Sequence, residues 1–108
     1  MKPTRFYSNQ QEKSVAKAVS GKQVSNSGAT PFKKGDVETQ HWLIECKTKV
    51  HESESVAIRK EWLLKNEEEA FAMGKQHSAL AFDFGDDNRY YIISEKEFRR
   101  FLEETNYD

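Results

Sequence analysis

Asp36, Glu45 and Lys47 are the residues of this 108-residue chain whose types and spacing fit a chemical task. Glu45 and Lys47 stand two apart in the run His41-Trp42-Leu43-Ile44-Glu45-Cys46-Lys47-Thr48-Lys49-Val50, which reads as a strand, so they project from one face. Asp36-Val37-Glu38 reads as a shorter strand, followed by a turn near Thr39-Gln40. If the two strands pair as an antiparallel hairpin, Asp36 reaches the same place. Two carboxylates beside a lysine suit phosphodiester hydrolysis. Carboxylates bind a hard divalent cation through oxygen, and Mg²⁺ typically keeps several of its waters. Such a cation lowers the pKa of a bound water and stabilises an anionic transition state. The lysine positions the attacking water or neutralises phosphate charge. An acid and a lysine two apart on a strand also occur on solvated faces, as weak surface pairs. Here Trp42-Leu43-Ile44, apolar on both faces, precedes them, as in a buried strand that emerges at a site.

The elements that must position these residues follow from pattern and punctuation. Residues 1–7 read as a flexible basic arm, and residues 8–108 as a single domain. Ser8 or Asn9 is placed to cap a helix from about Gln10 to Val19, with Val15, Ala16, Ala18 and Val19 as its apolar face and Gly21 as its stop. Glu12 then falls near the positive end of that helix, where a carboxylate is favoured. Residues 22–35, rich in Ser, Asn, Gly and Lys, read as a loop or irregular hairpin. Val56-Ala57-Ile58 reads as briefly extended. A helix fits about Arg59 to Met73, with Trp62, Leu63, Ala70 and Met73 inward and Gly74 as its end. Ser78 to Phe84 and Tyr90 to Ile93 read as strands around a Gly85-Asp86-Asp87-Asn88 turn. Ser94 caps a last helix, Glu95 to about Glu104, whose Phe98, Phe101 and Leu102 read as core or as a dimer face. The expected order is α-β-β-β-α-β-β-α, an α/β fold around one sheet.

Composition narrows the function classes. No apolar run approaches the roughly 18–20 residues of a membrane span, and Met1 to Tyr7 lack the apolar stretch of a signal peptide. A soluble, cytoplasmic protein is expected. The one cysteine, Cys46, allows neither an intrachain disulfide nor a cysteine-based zinc site, and it reads as an inert core thiol. The formal net charge of -1 argues at first against a nucleic-acid partner, but it is a cancellation. Residues 1–49 hold nine basic and four acidic residues, and residues 50–108 hold eight and fourteen. The basic half is the expected surface for a polyanion. Arg5, Lys22, Lys33 and Lys34 are candidates for backbone phosphate contacts, which add salt-sensitive, sequence-independent affinity.

Gly35-Asp36 followed by Ile44-Glu45-Cys46-Lys47 resembles the PD-(D/E)xK nuclease superfamily. Around that motif, Gln11-Glu12-Lys13, Ser27-Gly28-Ala29 and Lys34-Gly35-Asp36-Val37 resemble the small archaeal and phage Holliday-junction resolvases. Lys60-Glu61-Trp62-Leu63, Glu69-Ala70 and Ala79-Leu80-Ala81-Phe82 agree downstream, so the resemblance covers about residues 8–102. Gly35 stands where the superfamily usually has proline.

The resemblance implies a restriction-endonuclease-like core and a Mg²⁺-dependent endodeoxyribonuclease, with Mn²⁺ as a substitute. Its substrate would be branched DNA, a four-way junction first, and its working form a homodimer in the cytoplasm, a host cell's if the chain is phage-encoded. By the same resemblance Asp36 and Glu45 are the metal-binding carboxylates, and the backbone carbonyl of Cys46 completes the metal shell. Lys47 is the motif lysine and Glu12 the first-helix glutamate that approaches the site. Ser27 and Gly28 belong to a loop that meets DNA. Two other readings stand beside this one. One is a nuclease of the same fold acting on flaps, nicks or duplex ends; the other is a non-catalytic nucleic-acid-binding module.

Overall fold

Between Thr4 and Val19 the sequence contains neither proline nor glycine, and the whole stretch is one helix, α1. The computed structural model describes residues 4–24, 36–49 and 51–105. Helix α1 starts earlier than the cap-based reading at Gln10, so residues 4–7 of the expected arm are helical and continuous with it. Ser8 and Asn9 lie inside it because nothing nearby interrupts it. Its first turn holds no acidic residue, so Glu12 is an interior residue rather than a complement to the helix dipole. The side of α1 turned to the protein is polar at Gln11 and Glu12 and apolar from Val15 onward. The helix ends where Ser20 takes a positive φ of 56° and the Gly21 N–H donates to the Ala16 carbonyl. Gly21 is required by a close approach, since a Cβ there would meet the Glu38 carbonyl oxygen at 2.5 Å.

Strands β1 (Lys22–Gln23), β2 (Asp36–Glu38) and β3 (Trp42–Lys47) follow, then helix α2 (Lys60–Ala72). Strands β4 (His77–Asp83) and β5 (Arg89–Ile92) and helix α3 (Glu95–Thr105) complete the chain. The element order matches the expectation, with one exchange among the strands. The third strand of the first run is β1 at Lys22–Gln23, within the expected loop, while residues 56–58 form no strand. The five strands lie in sequence order in one mixed sheet. Strands β3 and β4 are parallel, as their connection through α2 demands, and the other neighbours are antiparallel.

Alternation along the strands divides the core. Val37, Ile44, Ala79 and Ala81 meet Val15 of α1 in one buried cluster. Leu43 and Leu80, fully buried, belong to the other face of the sheet. Helix α2 packs on β3 and β4 and sends Asn66, 2% exposed, to the carbonyls of Leu43 (3.4 Å) and Ala79 (3.0 Å). Asn66 was not foreseen, because an inward polar residue breaks the apolar stripe that marks a helix face.

Helix α3 departs from one of its two expected readings. Phe98, Phe101 and Leu102 are 54%, 43% and 42% exposed, so they are not core. The helix is held at two points instead. The Phe101 ring stacks on Trp42 at 5.9 Å, and the Glu97 carboxylate lies 2.8 Å from His77 Nδ1. The Ser94 hydroxyl accepts the Glu97 N–H, so Ser94 caps as its position implies. Beneath Phe101 runs an apolar groove of about 390 Å³, lined by Val19, Trp42, Ile44, Ala79, Tyr91 and Ile93. Among the described residues no helix is long and apolar enough to cross a membrane.

Candidate active site

The register of β2 on β3 pairs Asp36 directly with Glu45. Directly opposed residues of an antiparallel pair carry their side chains on one face, a few ångströms apart. Both are almost completely buried, at 1% and 2% exposure. Lys47 follows on the same face, and its Nζ lies 3.3 Å from Glu45 Oε2. Its side chain is 31% exposed, so the ammonium sits where the buried pair opens to solvent. The hairpin expected from the sequence therefore brings Asp36, Glu45 and Lys47 together.

Strand β3 stops at Lys47 for a reason found in α1. The Gln11 side chain donates to the Lys47 carbonyl at 2.7 Å and to Asp83 Oδ2 at 3.3 Å. The Thr48 hydroxyl donates to Gln11 Oε1 at 2.6 Å. A side chain from the helix thus continues the pairing that a neighbouring strand would otherwise supply, and it fixes the backbone beneath Lys47. Asp83 is tied in turn, with Oδ1 accepting the Gly85 N–H at 2.9 Å. Gln11 stood in the sequence only as a neighbour of Glu12; its adjacency on a helix face is a weak signal of this role.

Glu12 is 7% exposed and accepts a hydrogen bond from Gln23 Nε2 at 3.2 Å. It comes from the helix that covers the Ile44 side of the sheet. The Cys46 thiol reports the surrounding charge. Burial, then the negative charges of Asp36 and Glu12, and to a smaller extent that of Glu45, push it up from 9.0 to about 12, with the Arg89 cation opposing them. Three carboxylates and one guanidinium thus lie within electrostatic reach of one strand position. Arg89, which also donates to Ser14 Oγ at 2.9 Å, was not foreseen from the sequence.

Other expected contacts are placed less fully. Lys22 is exposed on β1 opposite Glu38, on the same face as Asp36 one row along. Arg5 belongs to α1. Ser27, Gly28, Lys33 and Lys34 lie outside the described residues.

Among the described residues no three His, Cys, Asp or Glu side chains converge into a metal cage. Mg²⁺ does not need one, since it is usually held by one or two carboxylates and retains waters. The buried Asp36–Glu45 pair, all oxygen and doubly acidic, fits such an ion.

Trp62, expected to face inward, is half-buried, and the Lys47 ammonium sits 4.1 Å from the centre of its ring. Periodicity assigned Trp62 an inward direction but not a partner. No family model, no curated protein and no solved structure matches this chain.

Proposed function

We propose that this chain is a metal-dependent endonuclease that hydrolyses DNA phosphodiester bonds, most specifically a structure-selective resolvase of four-way junctions. The observation that carries the reading is the direct pairing of two buried carboxylates, Asp36 and Glu45, with Lys47 ion-paired beside them at the solvent boundary. Asp36 and Glu45 would hold Mg²⁺, with the Cys46 carbonyl as a further oxygen; Mn²⁺ would substitute. When bound, such a cation acidifies water and offsets negative charge on a phosphate. The chain's own residues supply the rest. Lys47 offers a partly exposed cation to a phosphate oxygen. Gln11 holds the Lys47 backbone, so the point from which the lysine side chain reaches toward the carboxylates is set before substrate arrives. Glu12, held by Gln23, keeps negative potential near the strand from the α1 side.

Lys22, on the same face, is suited to a backbone phosphate, which would make recognition depend on shape more than on base sequence. A homodimer is part of the proposal. Its support is the exposed Phe98, Phe101 and Leu102 stripe on α3 beside an apolar groove.

The test is a panel of labelled four-way junctions, flaps, nicked duplexes and linear duplexes, each with Mg²⁺ or EDTA. The expected result is Mg²⁺-dependent cutting of the junction at paired positions, with linear duplex left intact. Preference for flaps or ends would move the assignment to another nuclease of the same type. Tight binding with no cutting in any metal would favour a non-catalytic DNA-binding module.

A further inference from the structure

Lys47 has a flexible four-carbon stem ending in a point charge, and strand register fixes only where that stem begins. Its side chain is 31% exposed, so solvent leaves it room to swing. Two neighbours restrain it. Glu45 Oε2 lies 3.3 Å from Nζ, and the Trp62 ring centre lies 4.1 Å from it. The second contact crosses between elements, because Trp62 stands in the first turn of α2. An indole face carries negative potential and attracts a cation within about 6 Å of its centre. Glu45 is also wanted by any bound metal. A neighbour that holds the ammonium without being a metal ligand keeps its place defined when the carboxylate is engaged elsewhere. Asn66, farther along α2, is anchored to the β3 and β4 carbonyls, so the helix that carries the ring is itself tied to the sheet.

Building on the nuclease reading, we propose that Trp62 is a positioning residue: its ring seats the Lys47 ammonium beside Glu45, ready for an incoming phosphodiester. Trp62 itself touches neither phosphate nor metal in this arrangement and acts through Lys47. Preorganised charge lowers the barrier of the chemical step more than it raises affinity for the ground state. Loss of the ring should therefore slow cleavage while leaving DNA binding in place. A ring that served only packing would lower stability without that split.

The experiment uses the full chain and has two arms. With Trp42→Phe, Trp62 becomes the one tryptophan of a chain that has two. Lys47→Met in that background should shift or brighten the Trp62 emission, because it removes the charge over the ring and keeps the stem. In the second arm, single-turnover junction cleavage is measured well below the melting temperature of each variant. Trp62→Leu should cut about 3- to 30-fold more slowly, the range that a contact of this type implies, with junction affinity in Ca²⁺ unchanged. Trp62→Phe, which keeps an aromatic face, should recover most of the rate. An emission that ignores Lys47→Met would overturn the contact. Wild-type cleavage by Trp62→Leu, or equal slowing by Leu and Phe, would overturn the positioning role. A wild-type protein that cuts no DNA in any metal defeats the nuclease reading instead, and the emission arm still decides whether Trp62 seats the ammonium.

Discussion

Asp36 and Glu45 oppose each other across one rung of the sheet, and like charges directly opposite are destabilising. In the proposed function, a cation bound between the two acids would offset that repulsion and stabilise the fold. Two outcomes follow at this scale. Asp36→Asn should raise the melting temperature of the metal-free protein, by an amount matching about 0.5–1 kcal/mol. It should also abolish the stabilisation that Mg²⁺ is expected to give the wild type, as read by thermal melts with and without the ion. A second outcome concerns Cys46. Its thiol is pushed up to about 12 by burial and by Asp36, Glu12 and Glu45, so the folded chain holds that proton more tightly than the unfolded one. Its contribution to stability is therefore complete below pH 9 and declines as the pH rises from 9 to about 12. In EDTA at pH 8, iodoacetamide should label Cys46 far more slowly in the native protein than in denaturant.

At the scale of elements, α1 does more than cover the sheet. Gln11 ties the ends of β3 and β4 through three hydrogen bonds, to the Lys47 carbonyl, Asp83 and Thr48. Gln11→Ala leaves those groups without that partner and should cost about 1–3 kcal/mol in urea unfolding. The same change should slow cleavage, because the backbone under Lys47 is released. Gly21→Ala should also destabilise, since the added methyl meets the Glu38 carbonyl backbone rather than a movable side chain. The hairpin that joins Asp36 to Glu45 was legible in the sequence, because the period of two and a turn at Thr39-Gln40 leave few registers. The helix ends at Gly21 and Gly74 and the Ser94 cap were legible for the same kind of reason: each is a local signal. The start of α1 was not, because no residue between Thr4 and Gln10 forces or forbids a helix there. Strand β1, only two residues long, is created by pairing with β2 and carries no pattern of its own. The links from Gln11 to β3 and from Trp62 to Lys47 join residues 36 and 15 positions apart, and no local period records them.

Over the whole molecule, charge and exposed apolar surface say what the chain would meet. The basic first half carries the Asp36, Glu45 and Lys47 cluster, so the proposed phosphate contacts and chemistry would be drawn from the same part of the chain. Binding to DNA should weaken steeply with salt, whereas Asp36→Asn should leave that slope unchanged because it removes no cation. The α3 stripe was legible as a pattern but not as a surface, since an amphipathic helix looks the same whether its apolar side meets its own core or another molecule. With Phe98 and Phe101 exposed, the proposed dimer should dissociate in a Phe98→Glu, Phe101→Glu variant, as read by light scattering. In the proposed function the Asp36–Glu45 pair would hold the metal on which DNA cleavage depends. The most direct measurement of that role is cleavage of a labelled four-way junction by wild type and Asp36→Asn under saturating protein and Mg²⁺. Cutting by the wild type that EDTA stops is expected, with a loss on the order of 10²-fold or more in Asp36→Asn and junction binding retained. Cleavage by Asp36→Asn at the wild-type rate would contradict that role.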